Sequence, residues 1–275
     1  MFCDTALAQR IERAEVQFIV EASAAARRRR ADDAGFVIPV AGGVASFAEA
    51  SSPYNKVAGL GFDGVPSPAT LQEMERAYAA VGAPVQVELA HLADPAIGAL
   101  LTERGYRLLS FDNVLGRVLR GEPERVTPPG VEVRPGGEEE FEAWLDIVLE
   151  GFAHPDTQEV AGHDELPREV MAGAAQDFSA AGGIRYLALR DGVIAGGARL
   201  RMAEGVAQLA GATTAPAHRR RGVQTALLSA RLADAAAAGC DIAVVTTLPG
   251  SKSQQNVQRQ GFDLLYTRAT LVRQA

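Results

Sequence analysis

Cysteine is nearly absent from this chain, which has only two in 275 residues, Cys3 and Cys240. They lie far apart and show none of the spacings that are typical of metal ligands. A disulfide-stapled fold and a structural zinc site are therefore not predicted. We interpret both cysteines as packing residues and predict no metal site.

The chain also lacks an apolar run long enough to cross a bilayer. A secretory leader needs a basic patch and then an apolar core, but the first residues, MFCDTALAQRIERAE, include Asp4 and Glu12. With 47% hydrophobic and 22% charged residues, the composition is typical of a soluble globular protein. We therefore predict a cytoplasmic protein without a membrane partner.

Positive charge is not in excess, because the formal net charge is -7 at pH 7. Proteins that bind nucleic acids neutralise phosphates with basic residues, so no nucleic-acid partner is predicted. The basic run Arg27 to Arg30 follows three alanines at the end of a predicted helix. Cations are favourable at the negative end of the helix dipole, so we interpret this run as a solvated helix terminus.

Two similar arrangements of elements follow one another along the chain. In each, a strand, a turn and a helix lie between glycines at nearly equal spacing, Gly82 to Gly105 and Gly239 to Gly261, and the second glycine begins the related sequences GYRLL and GFDLL. The polar, turn-rich segment from Gly121 to Gly130 is the best linker candidate. We therefore predict a tandem repeat with domains at residues 1–125 and 126–275.

The segment from Thr213 to Leu228, TTAPAHRRRGVQTALL, is the most informative stretch. An apolar strand leads into it, Pro216 marks a turn, and a strongly helical segment starts after Gly222. The first N–H groups of a helix have no partners within the helix and lie at the positive end of its dipole, so arginines and a glycine here suit a phosphate. Glycine also lets the backbone approach an anion closely. The first repeat is shorter at this point, so only the second is predicted to bind the anion.

On these residues the carboxyl-terminal half resembles the GNAT superfamily of acyl-CoA-dependent N-acetyltransferases. The family motif is Arg or Gln, two residues, Gly, one residue, then Gly or Ala; here it reads Arg219-Arg220-Arg221-Gly222-Val223-Gln224, and Gln224 departs from the last position. The resemblance covers about residues 130 to 275, including a hairpin at Asp191-Gly192. It implies an α/β (α+β) fold of two tandem GNAT-like lobes, each a mixed, mostly antiparallel sheet flanked by helices, with a degenerate first lobe.

The resemblance implies acetyl-CoA, or another acyl-CoA, as co-substrate. Thr213 and Thr214 would end the central strand, where free main-chain groups hold the pantetheine arm and polarise the thioester carbonyl, while main-chain N–H groups of the following loop would wrap the pyrophosphate. Asn256 would face the pantetheine or the sulfur. The implied cofactor-binding residues are Thr213, Thr214, Arg219, Arg220, Arg221, Gly222, Val223, Gln224, Thr225 and Asn256. The alternatives are a solvated helix entry for the arginines and a plain exposed helix residue for Asn256.

No general acid follows from the resemblance, because Val257 stands where many members have a tyrosine that protonates the leaving thiolate. The candidates are Ser253, one turn earlier, and Tyr266, on the last strand, with water as a further alternative. For the base, the irregular segment 150–165 corresponds to one that borders the acceptor pocket in the family. It offers His154, Asp156, Glu159, His163 and Asp164. Histidine titrates near neutral pH and can deprotonate an ammonium group, but a loop histidine can equally be a surface residue.

A competing pattern, Gly59-Leu60-Gly61-Phe62-Asp63-Gly64, matches the glycine-rich fingerprint of dinucleotide-binding folds. Pro66, Ser67 and Pro68 separate it from the next helix, so Gly64 does not reach the first turn of that helix as the fingerprint requires. We therefore predict no dinucleotide binding by residues 1–125.

The sequence thus leads to the hypothesis of an N-acetyltransferase that transfers an acetyl group from acetyl-CoA to a primary amine of a small molecule or peptide. Transfer would be direct, in a ternary complex, because no activated cysteine is present for a covalent intermediate. The alternative is a non-catalytic acyl-CoA sensor or scaffold. Either hypothesis is compatible with a homodimer.

Overall fold

The computed structural model describes residues 1–32, 34–121, 125–154 and 166–274. By their internal contacts the residues form two compact units. The amino-terminal unit comprises Phe2–Val114, Glu169–Ala181 and Leu264–Ala275, and the carboxyl-terminal unit comprises Met1, Leu115–Arg168 and Gly182–Asp263. Within the described ranges, no helix has both the length and the apolar character that a membrane span requires.

Helices and strands alternate along the chain. In order they are α1 (Thr5–Arg30), β1 (Phe36–Val40), β2 (Gly43–Phe47), β3 (Lys56–Ala58), α2 (Pro68–Ala80), β4 (Val85–Ala90), α3 (Ala96–Glu103), β5 (Arg107–Val118), β6 (Val131–Pro135), a 3-10 helix (Glu138–Glu140), α4 (Phe141–Ala153), α5 (Arg168–Ala180), β7 (Ile184–Arg190), β8 (Val193–Ala203), β9 (Val206–Thr214), a 3-10 helix (Pro216–His218), α6 (Val223–Ala237), β10 (Ile242–Thr247), α7 (Lys252–Arg259) and β11 (Asp263–Arg273).

The two units repeat one pattern of strand pairing. Neighbouring strands lie in the order β1-β2-β3-β4-β11-β5 in the amino-terminal unit and β5-β10-β9-β8-β7-β6 in the carboxyl-terminal unit. Each contains a parallel pair, β3 with β4 and β9 with β10, beside antiparallel pairs. Helices pack on the strands in both units. The predicted class, mixed and mostly antiparallel sheets flanked by helices, is confirmed.

The division into independent domains at residues 1–125 and 126–275 stays a prediction. The contact units follow other limits, because α5 and most of β11 group with the amino-terminal unit, whereas the end of β5 groups with the carboxyl-terminal unit. Strand β11 pairs with β4 over six residues, from Arg268 opposite Ala90 to Arg273 opposite Val85.

Each unit has its own apolar core. In the carboxyl-terminal unit, alternate residues of β8 and β9 such as Leu200 and Leu209 pack against Leu227 of α6 and against Cys240. In the amino-terminal unit the core includes Tyr78, whose hydroxyl donates to the carbonyl oxygen of Ser46 at 2.7 Å. Cys240 is a buried free thiol, as predicted for a packing residue, and Cys3 is a partly buried free thiol.

The basic run at the end of α1 occupies the last turn of that helix, as predicted, but it is not wholly solvated. Arg29 donates to both carboxylate oxygens of Asp177, at 3.0 and 2.9 Å, and also pairs with Glu49. Asp177 is only 2% exposed. The interpretation as a helix terminus is therefore confirmed, and Arg29 in addition holds α5 within the amino-terminal unit.

The hairpin predicted at Asp191-Gly192 is present. Arg190 pairs with Val193, so the loop has the two residues between them, and both have positive φ, 53° for Asp191 and 80° for Gly192. This is the geometry of the turn that matches the twist of two antiparallel strands. It sets the register of β7 with β8, and through β8 the position of β9.

The entry into α4 leads to the first testable prediction. Glu140 accepts from both terminal nitrogens of Arg134, at 2.7 Å each, and from the N–H of Gly137 at 3.1 Å, and these bonds lower its pKa to about 2. Because the folded-state pKa lies below the unfolded one, this stabilisation is complete above about pH 4.3 and is lost as the pH falls towards 2. A ¹³C NMR titration should detect the lowered pKa of the Glu140 carboxyl, and Arg134→Ala should raise this pKa. A Glu140 titration that is unchanged by Arg134→Ala would contradict the assignment.

Candidate functional site

The central strand of the carboxyl-terminal unit bends near its end. Strand β9 pairs with β8 through Arg199 opposite Ala210 and Gly197 opposite Thr213, so Ala198 alone faces two residues, Gly211 and Ala212. Gly211 has φ of 55°. This is a β-bulge, which bends a strand and redirects its side chains and main-chain groups.

On its other side β9 separates from its parallel neighbour. Pairing with β10 runs from Val206 opposite Ile242 to Leu209 opposite Val245, although β9 continues to Thr214 and β10 to Thr247. Within the described chain, the buried hydroxyl oxygens of Thr214 and Thr247 have no hydrogen-bond partner. Buried polar atoms normally have partners, so these two are suited to bind polar atoms of a ligand.

The segment after β9 forms an open helix start. The N–H of Ala215 donates to Ala195 of β8 at 3.0 Å, and a 3-10 turn follows. Gly222, with φ of 83°, is the N-cap of α6 and has no side chain with which to cap it. The N–H groups of Val223, Gln224 and Thr225, the first three helical residues, therefore have no acceptor in the helix. Such N–H groups, at the positive end of the helix dipole, are suited to an anion.

The three arginines of the motif differ in their surroundings. Arg219 is partly buried and donates to main-chain carbonyls, to Thr214 at 3.4 Å, to Gly151 at 3.5 Å and also to His154. Its side chain therefore ties the end of β9 to the end of α4. Arg220 and Arg221 are exposed, and Arg220 has φ of 60°, a region that non-glycine residues seldom occupy. The charge available to a phosphate is thus that of Arg220 and Arg221.

Glycines that the sequence analysis did not single out let the elements of this site approach closely. A Cβ at Gly151 of α4 would overlap the Thr213 side chain, and one at Gly196 would lie 2.6 Å from the Thr213 carbonyl oxygen and 3.0 Å from Val223. A Cβ at Gly197 would lie 2.8 Å from the indole nitrogen of Trp144. The Gly-Gly pair inside a strand was the available signal, because such glycines often mark a close backbone approach.

His154, the candidate base, lies at the C-cap of α4 and is exposed. Its Nδ1 lies 3.0 Å from the carbonyl oxygen of Glu150. Because a carbonyl only accepts, Nδ1 carries the proton in this arrangement, and the neutral ring has Nε2 as its acceptor. The main-chain carbonyl of His154 accepts from Arg219. The other acceptor-side candidates, Asp156, Glu159, His163 and Asp164, lie outside the described residues.

The two candidate acids lie in different units. Ser253 is exposed on α7 of the carboxyl-terminal unit and is three residues from the partly buried Asn256, so both are on one face of that helix. Tyr266 belongs to the amino-terminal unit, is 1% exposed and donates to Glu12 Oε1 at 2.6 Å. Burial first, and then the nearby Glu12, raise its pKa well above the ordinary value. A phenol with this partner and this pKa is poorly suited to protonate a thiolate.

The position without the family tyrosine has a structural explanation. Val257 is 4% exposed and belongs to the core of the carboxyl-terminal unit together with Phe262. In this chain residue 257 therefore packs inside the unit and does not present a polar group to a ligand.

Replacing this residue tests the explanation. Val257→Tyr should destabilise the protein by about 1–3 kcal/mol, because a larger side chain overpacks a filled core. Urea unfolding measures the change. Gln258→Tyr, at the exposed neighbouring position, is the control and should change stability by less than about 0.5 kcal/mol. A Val257→Tyr protein as stable as the wild type would show that position 257 has room for the ring.

The glycine-rich turn of the amino-terminal unit does not lead into an open helix start. Helix α2 is capped by Ser67, whose hydroxyl accepts from the N–H of Thr70 at 3.1 Å, and its first residue, Pro68, has no N–H. The glycine-rich turn before it is used for packing, since a Cβ at Gly59 would overlap Val16 and one at Gly61 would overlap Ile97. This turn therefore has a structural role in the packing of the amino-terminal unit.

Comparison with known proteins agrees with this geometry. Residues 132–252 match the family model described as an acetyltransferase (GNAT) domain. The matched range holds β6 to β10, α6 and the loop at Gly222. No curated protein matches the sequence.

Solved structures share the fold over most of the chain. A GCN5-related N-acetyltransferase from Kribbella flavida is 22% identical, with 92% of this chain and 95% of that chain covered and a TM-score of 0.64. A tandem GNAT protein from the clavulanic acid biosynthesis pathway is 13% identical, with 92% and 87% covered and a TM-score of 0.62. A GCN5-related N-acetyltransferase from Sphaerobacter thermophilus is 16% identical, with 75% and 67% covered and a TM-score of 0.56. The predicted tandem fold is thereby confirmed.

Proposed function

Because residues 132–252 match the model of a GNAT acetyltransferase domain, we propose that this chain transfers an acetyl or other acyl group from acyl-CoA to a primary amine of a small molecule or peptide. The observation that carries the proposal is the uncapped start of α6 at Gly222, which follows a central strand that bends away from its parallel neighbour and a short 3-10 turn. A phosphate-bearing thioester fits such a site, because the helix start suits the pyrophosphate and the strand end suits an extended arm.

The residues present fit coenzyme A. The N–H groups of Val223, Gln224 and Thr225 would hold the pyrophosphate, and the exposed Arg220 and Arg221 would add charge. The buried hydroxyls of Thr214 and Thr247, which have no partner among the described residues, would bond polar atoms of the pantetheine arm. Asn256 and the main chain of Thr213 are proposed contacts near the thioester.

The chemistry needs a neutral amine, a stabilised oxyanion and a proton for the thiolate. The amine nitrogen attacks the thioester carbonyl carbon, the C–S bond breaks, and the thiolate takes up a proton. We assign proton removal from the ammonium to His154 Nε2 and proton delivery to Ser253 or to water. Tyr266 is left out of this mechanism, because its hydroxyl is buried and bonded to Glu12.

The second candidate function is a non-catalytic acyl-CoA sensor or scaffold. The observation in its favour is that Val257 packs in the core of the carboxyl-terminal unit, at the position where the resemblance to the GNAT superfamily implies a tyrosine acid in many members. A sensor would retain the α6 site and need no proton donor.

The deciding experiment combines calorimetric titration of the full chain with CoA and a thiol-release assay with acetyl-CoA. The amine panel contains diamines, amino sugars, amino acids and peptides with a free amino terminus. Thiol release that depends on an amine supports the transferase. CoA binding without turnover on any amine supports the sensor, and absence of CoA binding overturns both.

The contribution of arginine charge at the loop can be tested with a matched control. Arg221→Ala should weaken CoA binding several-fold at low salt, with a smaller difference at 1 M salt, because exposed charges are screened. Arg76→Ala, which removes an exposed arginine from α2 of the amino-terminal unit, should leave the affinity unchanged. Equal effects of the two variants would show that only net charge matters.

A further inference from the structure

The segment from Arg125 to Gly130, which is part of the predicted linker Gly121 to Gly130, is bonded to the carboxyl-terminal unit, and we call it the anchor segment. Arg125 pairs with Asp234 at 2.5 Å, and the N–H of Val126 donates to the Ser229 hydroxyl at 2.7 Å. Asp234 also accepts from the Tyr186 hydroxyl at 2.6 Å. All of these residues belong to the carboxyl-terminal unit.

The contacts follow helix α6 towards its amino terminus. Asp234 pairs with Arg125, and Ser229 accepts from Val126 one to two turns earlier in the helix. At the start of the helix, Gly222 lies against Pro128. The far end of the segment is held as well, because the N–H of Val131 donates to Pro128 at 3.0 Å and that of Asp191 donates to Gly130 at 2.9 Å. The anchor segment is therefore fixed at both ends, with Pro128 between them.

Pro128 lies directly against the glycine of the phosphate loop. A Cβ added to Gly222 would lie 2.7 Å from Pro128 Cγ and 2.8 Å from Pro128 Cβ. The proline ring thus occupies the space that a side chain at position 222 would take. Because proline has a fixed φ and no N–H, it forms a stiff surface that does not compete for hydrogen-bond acceptors.

We infer that Pro128 is a positioning residue for coenzyme A, which holds Gly222 in its left-handed conformation and so aims the N–H groups of Val223, Gln224 and Thr225. This inference rests on the proposed function. Glycine is conformationally permissive, and a glycine with positive φ at a helix start has other conformations open to it. A rigid neighbour reduces those alternatives and thereby the entropy lost when the ligand binds.

The test is calorimetric titration of the full chain with CoA. Pro128→Gly should weaken binding about tenfold, because the loop is then ordered only by the ligand. Pro129→Gly, at the adjacent exposed position, is the matched control and should leave the affinity within about twofold. The fitted stoichiometry shows whether any loss comes from unfolded protein, since unfolding lowers the number of sites and a misaimed loop lowers the affinity.

A double-mutant cycle with Gly222→Ala measures the coupling between the two substitutions in CoA affinity. A general loss of stability would not produce such a coupling. If the ring and residue 222 are in contact, Pro128→Gly relieves the overlap caused by the new methyl group, and the double variant loses less affinity than the product of the two single losses. The inference is overturned if the double variant loses as much CoA affinity as the product of the two single losses. It is also overturned if Pro128→Gly binds CoA as tightly as the wild type. Failure of the wild type to bind CoA would instead overturn the proposed function.

Discussion

Gly222→Ala should weaken CoA binding at least about thirtyfold. An alanine at φ of 83° is held in the left-handed region, which costs about 1–2 kcal/mol. Its methyl group would also lie 2.7 Å from Pro128. Together these effects force the loop away from the geometry in which the first N–H groups of α6 face a phosphate, and a loss of about 2 kcal/mol corresponds to roughly thirtyfold in affinity. Calorimetric titration measures it.

Gly239 provides the matched control at the opposite end of the same helix. It has φ of 84°, and a Cβ there would meet no atom within 4 Å. Gly239→Ala therefore carries the same backbone strain and should lower stability by about 1–2 kcal/mol, without changing the CoA dissociation constant. If both variants bind CoA as tightly as the wild type, the pyrophosphate does not bind at this loop.

Glu12→Ala should have the largest effect on stability, a loss of about 3–5 kcal/mol in the free energy of unfolding. Glu12 is 1% exposed and accepts from the Nε of Arg268 at 2.8 Å and from Tyr266 at 2.6 Å. Burial by itself lowers the pKa of Arg268, but Glu12 and the neighbouring acidic groups raise it well above its usual range. The guanidinium therefore stays charged, and removal of its partner leaves a buried charge poorly compensated.

Urea unfolding of three variants separates the contributions. Tyr266→Phe removes one hydrogen bond and should cost about 1 kcal/mol, and Asp32→Ala removes the partly exposed partner of Arg30 and should cost less than about 1 kcal/mol. The expected loss in the free energy of unfolding is largest for Glu12→Ala, smaller for Tyr266→Phe and smallest for Asp32→Ala. A Glu12→Ala protein no less stable than Asp32→Ala would show that solvent reaches Arg268.

Tyr266→Phe also tests the mechanism. Because the hydroxyl donates to Glu12 in the core of the amino-terminal unit, the variant should retain thiol release per folded molecule. Loss of turnover with unchanged stability would restore Tyr266 as a candidate acid.

The features that sequence analysis predicted well depend on neighbours along the chain. A helix ends with Arg27 to Arg30, the hairpin follows Asp191-Gly192, and α6 starts after Gly222. Each depends on backbone preferences and capping within a few residues. The tandem repeat was visible for the same reason, since spacing and turn glycines recur in both halves.

The candidate site was predictable only in part. The loop at Gly222 was located, but Gly151, Gly196 and Pro128 were not, because what matters about them is which distant atoms they approach. The sequence likewise did not distinguish the roles of the three arginines. In the structure, Arg219 donates to main-chain carbonyls at the end of α4, whereas Arg220 and Arg221 are exposed.

By itself, the sequence determined the class of fold, its repetition and the start of α6 after Gly222, because periodicity, turn residues and caps act locally. The tertiary structure alone decided that Tyr266 bonds to Glu12, 254 residues away, that β11 pairs with β4, and that Pro128 lies against Gly222. Such pairings depend on which surfaces bury the most apolar area and leave the fewest polar atoms without partners. These are properties of the packed chain, and no short stretch of residues contains them.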